Sequence, residues 1–231
     1  MPPPLSIIVP TLNEASVIAA VLQRLRAFRE EAEVIVADGG SEDGTREAAK
    51  PLADRVIVAP RGRASQMNAG AKVASGDVLL FLHADSILPG DAPRLVREGL
   101  ERSRRGWGRF DVTIAGADPL LAVVAIMMNA RSRLTGIATG DQAVFARREA
   151  FETVGGFPEI PLMEDVELSR RLKRVSKPLC LRERVVTSGR RWERNGTLRT
   201  IVLMWRLRFA YAMGVDPRRL ARRYEVERTS S

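Results

Sequence analysis

Apolar and polar positions along the first hundred residues follow two alternating patterns. Four short apolar runs predict buried strands, at residues 5–9, 34–37, 56–58 and 77–82. Between them, apolar residues recur every three or four positions, which predicts helices near residues 17–25, 43–52 and 64–74. Strands that alternate with helices in this way form a parallel sheet with crossover helices, so we predict an α/β fold.

Beyond residue 105 the alternation weakens, but further elements can still be predicted. They are a strand at 110–114, a helix at about 119–134, a strand at 143–146, a helix at about 164–174 and an amphipathic helix at 198–213. The sequence contains no obvious linker or internal repeat. We therefore expect one domain over residues 1–231, with a mostly parallel central sheet flanked by helices and a helical segment at about 196–224.

The amphipathic helix at 198–213 has an apolar face and several arginines. The apolar face comprises Ile201, Val202, Trp205, Phe209 and Ala212, and the arginines elsewhere on the helix are Arg199, Arg206 and Arg208. Helices of this kind usually pack their apolar face on the core of their own domain, so we expect docking. A basic amphipathic helix can also lie on an anionic membrane, which stays a second hypothesis.

Charge is distributed unevenly along the chain. Its 231 residues hold 37 Lys and Arg against 28 Asp and Glu, a net charge of +9. Residues 170–231 hold 18 basic and five acidic side chains, whereas residues 1–169 carry a net charge of −4. The basic end suits an anionic partner, such as a diphosphate, a membrane surface or an anionic acceptor.

Composition excludes several classes of protein. With 45% hydrophobic and 28% charged residues, the chain is typical of a globular protein. A single cysteine, Cys180, and a single histidine, His83, exclude an internal disulfide and zinc sites rich in Cys or His. No apolar run approaches the roughly 20 residues of a transmembrane helix, and the first residues lack a signal-peptide pattern. We expect a cytoplasmic protein, with contact at the inner face of the membrane left open.

Polar residues follow the predicted strands at the edge where open α/β sheets bind ligands. The segments are Asn13-Glu14, Asp38-Gly39-Gly40-Ser41 and His83-Ala84-Asp85. A carboxylate beside glycines suits a nucleobase edge or a ribose hydroxyl, and Asp85 could share a divalent cation with phosphate oxygens. Each segment also has a purely structural interpretation. Asn13-Glu14 could be a helix cap, and the glycine-rich segment could be a tight turn capped by Asp43. The His83 imidazole could be hydrogen-bonded to the main chain, and we favour that role over metal ligation.

Three segments of the second half could also carry chemistry. They are Gly140-Asp141-Gln142, Glu164-Asp165 at the start of a helix, and Arg190-Arg191-Trp192. Carboxylates in the first turn of a helix complement its dipole, and in a cleft one of them can act as a general base. Guanidinium groups beside an aromatic ring suit a diphosphate, although a basic run is more often a solvated face.

Taken in order, these segments resemble family 2 glycosyltransferases of the GT-A fold. The resemblance runs from about residue 4 to residue 192 and rests on residues 8–14 (IVPTLNE), 36–41 (VADGGS), 43–45 (DGT), 84–85 (AD), 140–142 (GDQ) and 164–165 (ED). Residues 61–70 (RGRASQMNAG) and 190–192 (RRW) resemble a small bacterial subgroup linked with arsenosugar biosynthesis clusters. The resemblance implies a nucleotide-binding half at about 4–110 and an acceptor half at about 111–195.

The resemblance also implies a role for each matching residue. Nucleotide-sugar binding falls to Pro10, Asn13, Glu14, Asp38, Gly39, Arg63, Gln66, Asn68, Ala84, Asp85, Arg191 and Trp192. Acceptor binding falls to Gly140, Asp141 and Gln142. Asp85 would hold Mg²⁺ or Mn²⁺, Asp165 would be the catalytic base, and Glu164 would orient the acceptor region.

Two departures from the family pattern change what is expected. His83 stands where the family has the first metal-site carboxylate, which leaves one carboxylate fewer for the cation. The Gln-x-x-Arg-Trp motif of processive members survives only as residues 188–192 (SGRRW), so we predict a single addition and no polymerisation.

The predicted function is inverting transfer of a sugar from a nucleoside diphosphate sugar, which we expect to be UDP-linked, to an acceptor hydroxyl. The acceptor is a small molecule or a lipid-linked one, a homodimer stays open, and no nucleic acid is expected as a partner. A sugar-phosphate nucleotidyltransferase is an alternative, but residues 10–14 lack its Gly-rich loop with an activating Lys or Arg. A basic RNA-binding protein is another, and 5% aromatic residues without stacking motifs argue against it.

Overall fold

The computed structural model describes residues 4–229, with the side chains of residues 191, 195 and 225–229 left out of the description. The strands are β1 Leu5–Thr11, β2 Ala32–Asp38, β3 Arg55–Val58, β4 Val78–Phe81, β5 Ser86–Ile87, β6 Trp107–Ala115, β7 Phe145–Arg147 and β8 Leu179–Ser188. The helices are α1 Ala15–Leu25, α2 Thr45–Ala49, α3 Arg63–Val73, α4 Ala92–Ser103, α5 Leu120–Thr135, α6 Arg148–Thr153, α7 Glu164–Val175, α8 Arg190–Asn195, α9 Thr197–Ala212 and α10 Pro217–Thr229.

The strands form one mixed sheet in the order β3-β2-β1-β4-β7-β6-β8-β5. Strands β3, β2, β1 and β4 are parallel, as the first half of the sequence predicts. The short strand β7 runs antiparallel between β4 and β6 and so joins the two halves of the chain in a single sheet. The predicted α/β fold is confirmed, with antiparallel pairing also present between β5 and β8.

Strand β1 lies inside the parallel half, and all seven of its residues are buried. Ile7 and Val9 pack with α1 on one face, while Ile8 packs with α3 on the other. A strand covered on both faces needs apolar residues at successive positions, which explains the continuous apolar run. Gly70 of α3 permits this close packing, because a Cβ there would lie 2.5 Å from Ile8 Cγ2.

Five of the named elements were not predicted from the sequence: β5, α4, α6, β8 and α8. The middle of β8 reads Arg182-Glu183-Arg184, and these side chains are exposed. A strand that carries charged residues at successive positions shows no alternation of apolar and polar residues, so its pattern does not indicate a strand. Its buried residues, Val185 and Thr187, come only near its end.

Helix α9 docks on the domain, but not through the face that the sequence predicts. Leu207 is buried in a cluster with Met163 and Val166 of the α7 region, and Leu203 and Met204 pack against the same cluster. The predicted face is largely exposed, with Val202 at 56%, Trp205 at 60% and Phe209 at 70% exposure, and Ala212 is exposed as well. Ile201 alone of that set packs inward, against the cluster of α5. The helix is apolar on two sides, and only one side can face the core.

Within residues 4–229, none of the helices combines the length and the apolar composition that crossing a bilayer requires.

Candidate active site

Gln66 of α3 connects the carboxyl ends of β1 and β2 through hydrogen bonds. Its side-chain amide donates a hydrogen bond of 2.6 Å to the Thr11 carbonyl and one of 2.9 Å to the Ala37 carbonyl. Gln66 is buried, and it lies so close to Gly39 that a Cβ at residue 39 would be 3.0 Å from its Oε1. Gln66 therefore positions the two loops, while its predicted contact with the donor stays a prediction.

Asp38 organises the loop that follows β2. Its carboxylate is fully buried and accepts four hydrogen bonds: from the N–H groups of Gly40 (3.0 Å) and Ser41 (2.8 Å), and from the hydroxyls of Thr11 (3.1 Å) and Ser41 (2.5 Å). Arg46 Nε lies 3.8 Å from Asp38 Oδ1. The predicted contact of Asp38 with a nucleobase stays a prediction, and it would require the base to replace one of these donors.

The loop after β1 interlocks with the loop after β2. Asn13 adopts a left-handed conformation with φ 55°, donates its N–H to Ser41 Oγ (2.8 Å), and accepts from the N–H of Glu42 at its Oδ1 (3.0 Å). The next N–H, that of Glu14, donates to Thr45 Oγ1 over 2.8 Å. Neither Asn13 nor Glu14 caps α1 with its own side chain. Asp43 instead accepts from the N–H of Ala15 (3.0 Å), which links the two loops at the start of α1.

His83 brings the end of β4 to the Gly140–Gln142 turn. Its Nδ1 lies 3.3 Å from Asp141 Oδ1, and a Cβ at Gly140 would lie only 2.4 Å from its Nε2. The imidazole thus lies against a glycine and pairs with a carboxylate, whereas the sequence favoured a bond to the main chain. The juxtaposition joins two predicted segments, around residues 83–85 and 140–142.

The candidate base, Asp165, is held in place at the first turn of α7. The N–H of Gly140 donates a hydrogen bond of 2.9 Å to Asp165 Oδ2, and the N–H of Val166 donates one of 2.7 Å to Oδ1. Met163, which precedes the helix, has φ 69° and turns the chain so that Glu164 and Asp165 begin it. These two hydrogen bonds, one to each oxygen, fix the orientation of the Asp165 carboxylate.

Glu164 is buried beside this carboxylate. Its Oε1 lies 3.6 Å from Arg63 Nη1, so α3 and α7 are joined by an ion pair at the site. Burial raises the pKa of Glu164 above its ordinary 4.5, the negative charge of Asp165 raises it further, and Arg63 opposes both effects. The predicted pair Glu164-Asp165 is therefore a pair of unlike carboxyls, one buried and one bonded to main-chain N–H groups.

Two other predicted residues support the surrounding loops. The Gln142 side chain is fully buried, accepts from the N–H of Thr139 (3.2 Å) and donates to Asn129 Oδ1 (3.3 Å). Asn68 exchanges two hydrogen bonds with the main chain of Phe157, at 2.8 Å and 2.9 Å. Both amides are engaged within the protein, and their predicted ligand contacts stay predictions.

The Arg190-Arg191-Trp192 segment lies in the short helix α8. Trp192 is partly buried and packs against the apolar cluster of α5 and β6. Arg190 Nε donates to Ser188 Oγ over 3.1 Å. The side chain of residue 191 lies outside the described part of the chain, so its predicted role at a diphosphate has no structural description.

Sequence reasoning missed two residues that interact electrostatically with the candidate base. They are Arg131 of α5 and Arg208 of α9. Arg131 follows the apolar run of α5, and Arg208 lies on a helix with apolar residues on two sides. Both helices carry further arginines, so the sequence pattern does not single these two out.

The residues at the end of β4 offer a divalent cation a single carboxylate, that of Asp85. Among residues 4–229, no three side chains of His, Cys, Asp or Glu are grouped closely enough to hold a metal ion by themselves. Asp85 is partly exposed, and its carboxylate has a long contact of 3.5 Å with Ser86 Oγ. Magnesium usually takes one or two carboxylates and completes its shell with water and substrate phosphates. The donor set therefore fits a cation that Asp85 shares with a diphosphate, and not a cage built by the protein alone.

Comparison with known proteins agrees with the fold. Residues 6–109 match the family model described as Glycosyl transferase family 2. The Succinoglycan biosynthesis protein ExoA of Rhizobium meliloti (strain 1021) is 34% identical over 193 residues, which cover 72% of this chain and 57% of the relative. A PGL/p-HBAD biosynthesis glycosyltransferase of Mycobacterium tuberculosis (strain ATCC 25177 / H37Ra) is 39% identical over 94 residues, 37% of each protein.

Solved structures share the fold at low sequence identity. The 1-349 fragment of S. aureus TarS has a TM-score of 0.65 at 19% identity, over 82% of this chain and 61% of that one. The mannosyltransferase PcManGT from Pyrobaculum calidifontis, in complex with GDP-Man and Mn²⁺, has a TM-score of 0.62 at 24% identity, over 91% and 61%. The chain thus spans less than two thirds of these proteins and of the ExoA protein. Residues 6–109 therefore resemble a glycosyltransferase family 2 domain, and the fold of the chain is the GT-A fold of these solved structures.

Proposed function

We propose that the protein transfers a sugar from a nucleoside diphosphate sugar to an acceptor hydroxyl, with inversion at the anomeric carbon. The observation that carries the proposal is the convergence of the loops after β1, β2 and β4 with the start of α7. Gln66 ties the first two loops together, Arg63 joins α3 to Glu164, and Gly140 links the His83 region to Asp165. A carboxylate that main-chain hydrogen bonds hold at the ligand-binding edge of the sheet is suited to direct displacement.

In the proposed reaction, Asp165 acts as the general base. The acceptor oxygen attacks the anomeric carbon, its proton passes to the Asp165 carboxylate, and the bond from that carbon to the diphosphate oxygen breaks. The nucleoside diphosphate leaves with the bonding electrons, so no covalent enzyme intermediate forms. The hydrogen bond from Gly140 holds the carboxylate in one orientation, which keeps the base aligned with the attacking hydroxyl.

Asp85 would hold Mg²⁺ or Mn²⁺ in this site. When bound, the cation would neutralise negative charge on the diphosphate as it departs. His83 would not add a carboxylate, and its pairing with Asp141 favours a role in shaping the Gly140–Gln142 turn. Seven of the residues implied in nucleotide binding lie at the ends of β1, β2 and β4 or in the loops that follow them, which supports their assignment to the donor: Pro10, Asn13, Glu14, Asp38, Gly39, Ala84 and Asp85.

The finer parts of the proposal concern the donor, the acceptor and the location. We infer a UDP-linked donor, which the family resemblance implies. We also infer single addition, because the processive motif is incomplete at residues 188–192. The narrower likeness to an arsenosugar-linked subgroup remains an expectation from residues 61–70 and 190–192 alone. A homodimer and a cytoplasmic location also remain predictions.

An anionic membrane is the surface that we propose for the exposed apolar stripe of α9. Leu198, Val202, Trp205 and Phe209 are spaced by four, three and four residues, so they lie on one side of the helix, and all four are exposed. The following helix, α10, adds exposed basic side chains at Arg218, Arg219, Arg222 and Arg223. Apolar side chains beside positive charge match a bilayer of anionic lipids and fit a lipid-linked acceptor.

Thermal unfolding in the presence of nucleotides tests the proposed function. We expect UDP at millimolar concentration with Mn²⁺ or Mg²⁺ to raise the melting temperature, and GDP or an RNA oligomer to raise it less. The same protein is then screened for release of nucleoside diphosphate from a panel of nucleotide sugars. A larger shift with GDP would replace the proposed donor, and no shift with any nucleotide would reject the proposed function.

A further inference from the structure

Arg131 and Arg208 lie on two helices that pack together, α5 and α9. Each side chain is partly exposed, so solvent reaches the pair. The positive charge of Arg208 acts on Arg131, and the negative charge of Asp165 acts on both arginines. Two like charges are therefore placed within electrostatic range of the group proposed to receive the acceptor's proton.

The guanidinium groups of this pair are incompletely bonded. Nε and Nη2 of Arg131 and Nε of Arg208 are buried and have no hydrogen-bond partner among the described residues. A buried donor without a partner costs free energy, and more so when the group is charged. Native proteins pair the great majority of such donors, so these three nitrogens call for a partner that is not part of the described chain.

The nearby carboxylates, Asp165 and Asp141, are not the missing hydrogen-bond partners of these nitrogens. Asp165 accepts hydrogen bonds from the N–H groups of Gly140 and Val166, and Asp141 lies against His83. Among the described residues, neither carboxylate forms a hydrogen bond or an ion pair with Arg131 or Arg208. Burial first, and the positive charge of Arg208 second, lower the pKa of Arg131 to about 10, although Asp165 opposes them. Burial also lowers the pKa of Arg208, against the charges of Asp165 and Asp141. The two guanidinium groups thus place excess positive charge in a partly buried position, and this charge favours the binding of an anion.

We propose that Arg131 and Arg208 bind an anionic group, a phosphate or a carboxylate, carried by the acceptor. This inference rests on the proposed function, because the acceptor is assigned to the side of the site where Asp165 lies. The guanidinium fork matches a phosphate or carboxylate with paired hydrogen bonds. An anion held there fixes the distance from the acceptor's charged group to its hydroxyl, and so presents that hydroxyl to Asp165.

Titration calorimetry with inorganic phosphate tests the pair on the full chain. The variants are R131M and R208M, which replace a charged side chain by an apolar one of similar length, and the control is R206Q, which removes an exposed charge from the same helix. We expect phosphate to bind the unmodified protein and to bind either Met variant at least tenfold more weakly. We expect R206Q to bind phosphate unchanged. Acetate is titrated in parallel, and the tighter of the two anions identifies the acceptor group as a phosphate or a carboxylate.

UDP binding and thermal unfolding of the same variants separate the alternatives. We expect UDP affinity to persist and the melting temperature without ligand to stay equal or rise, because an unpaired buried charge has been removed. A structural role would lower the melting temperature and leave phosphate affinity unchanged, which would overturn the inference. Parallel loss of UDP and phosphate would place the pair at the donor's diphosphate and would also overturn it.

If the proposed function is wrong, the binding measurements give a different result from the one that rejects the arginine site. In that case UDP does not bind the unmodified protein, whereas the effect of R131M and R208M on phosphate can still be measured. If a Met variant does not fold, R131K and R208K retain the charge without the fork, and we expect phosphate to bind them severalfold more weakly. Phosphate affinity that is equal in the Lys variants and the unmodified protein would reject the site.

Discussion

The main-chain N–H of Gly140 donates a hydrogen bond of 2.9 Å to Asp165 Oδ2, across 25 residues of sequence. Gly140 also lies against the His83 imidazole, with no room for a side chain between them. One small residue thus connects the end of β4 to the start of α7. The candidate base is therefore oriented by this contact together with the hydrogen bond from the Val166 N–H of its own helix.

Replacing the candidate base tests its chemical role directly. We expect D165N to retain UDP binding and to lose about 10²-fold or more in turnover, because an amide cannot accept the acceptor's proton. Steady-state kinetics and UDP titration of the same preparation provide the measurement. Turnover equal to that of the unmodified protein would remove Asp165 from the role of base.

Adding a methyl group at residue 140 tests the positioning of that base. A Cβ at Gly140 would lie 2.4 Å from His83 Nε2, so G140A must displace either the turn or the imidazole. We expect turnover to fall about tenfold or more, with UDP affinity nearly unchanged, because small misplacements of a catalytic group are costly. G90A is the matched control, since a Cβ at Gly90 would meet no atom within 4 Å. Equal kinetics for the two variants would contradict a positioning role.

The raised pKa of Glu164 predicts how stability depends on pH. A carboxyl whose pKa is higher in the folded state binds more protons when folded, so the free energy of unfolding falls as pH rises from 4.5 through the folded pKa. E164Q lacks this titration, so we expect the stability of the unmodified protein relative to E164Q to decrease with pH over that window.

Urea denaturation of both proteins at a series of pH values provides the measurement. E152Q is the control, because Glu152 is 65% exposed, and its difference from the unmodified protein should be nearly constant with pH. A stability difference between E164Q and the unmodified protein that did not change with pH, or that changed in the opposite direction, would contradict the assignment.

The exposed stripe of α9 predicts binding to lipid. We expect the protein to sediment with phosphatidylglycerol vesicles at low salt, and not with neutral phosphatidylcholine vesicles, because both apolar insertion and positive charge are needed. The double variant W205E/F209E should lose most of this binding without a change in melting temperature, since both side chains are largely exposed.

V58E is the matched control for the lipid experiment, because Val58 is an exposed apolar residue (65%) on β3, away from α9. Sedimentation of W205E/F209E equal to that of V58E would reject the membrane surface. A concentration-dependent dimer that the double variant abolishes, without vesicle binding, would assign the stripe to a second copy of the chain instead.

Much of the fold follows from local patterns that the sequence contains. The buried strands β1, β2 and β4 are continuous apolar runs because both of their faces are covered, and the helices between them repeat apolar residues at their own period. Strand β8 could not be found in this way, because exposed charged residues occupy its middle. Its place in the sheet depends on pairing with β6, which lies about 70 residues away in sequence.

The candidate site was predicted as a set of segments rather than as an arrangement. Asp38, Asp85 and Asp165 follow from their places at strand ends and at a helix start. The engagement of Gln66 with the carbonyls of Thr11 and Ala37 could not be inferred, because these contacts join residues 29 and 55 positions apart. Residue type and local spacing do not state which polar partner a buried amide will meet.

The alternation of strands and helices and the polar residues that end each strand could be predicted from local pattern, since periodicity reports local burial. Packing in three dimensions fixes which of two apolar sides of α9 faces the core, which carboxyl at the start of α7 is buried, and that Arg131 and Arg208 come within electrostatic range of Asp165. These outcomes depend on packing between distant segments, where burial, charge and hydrogen bonding are settled together.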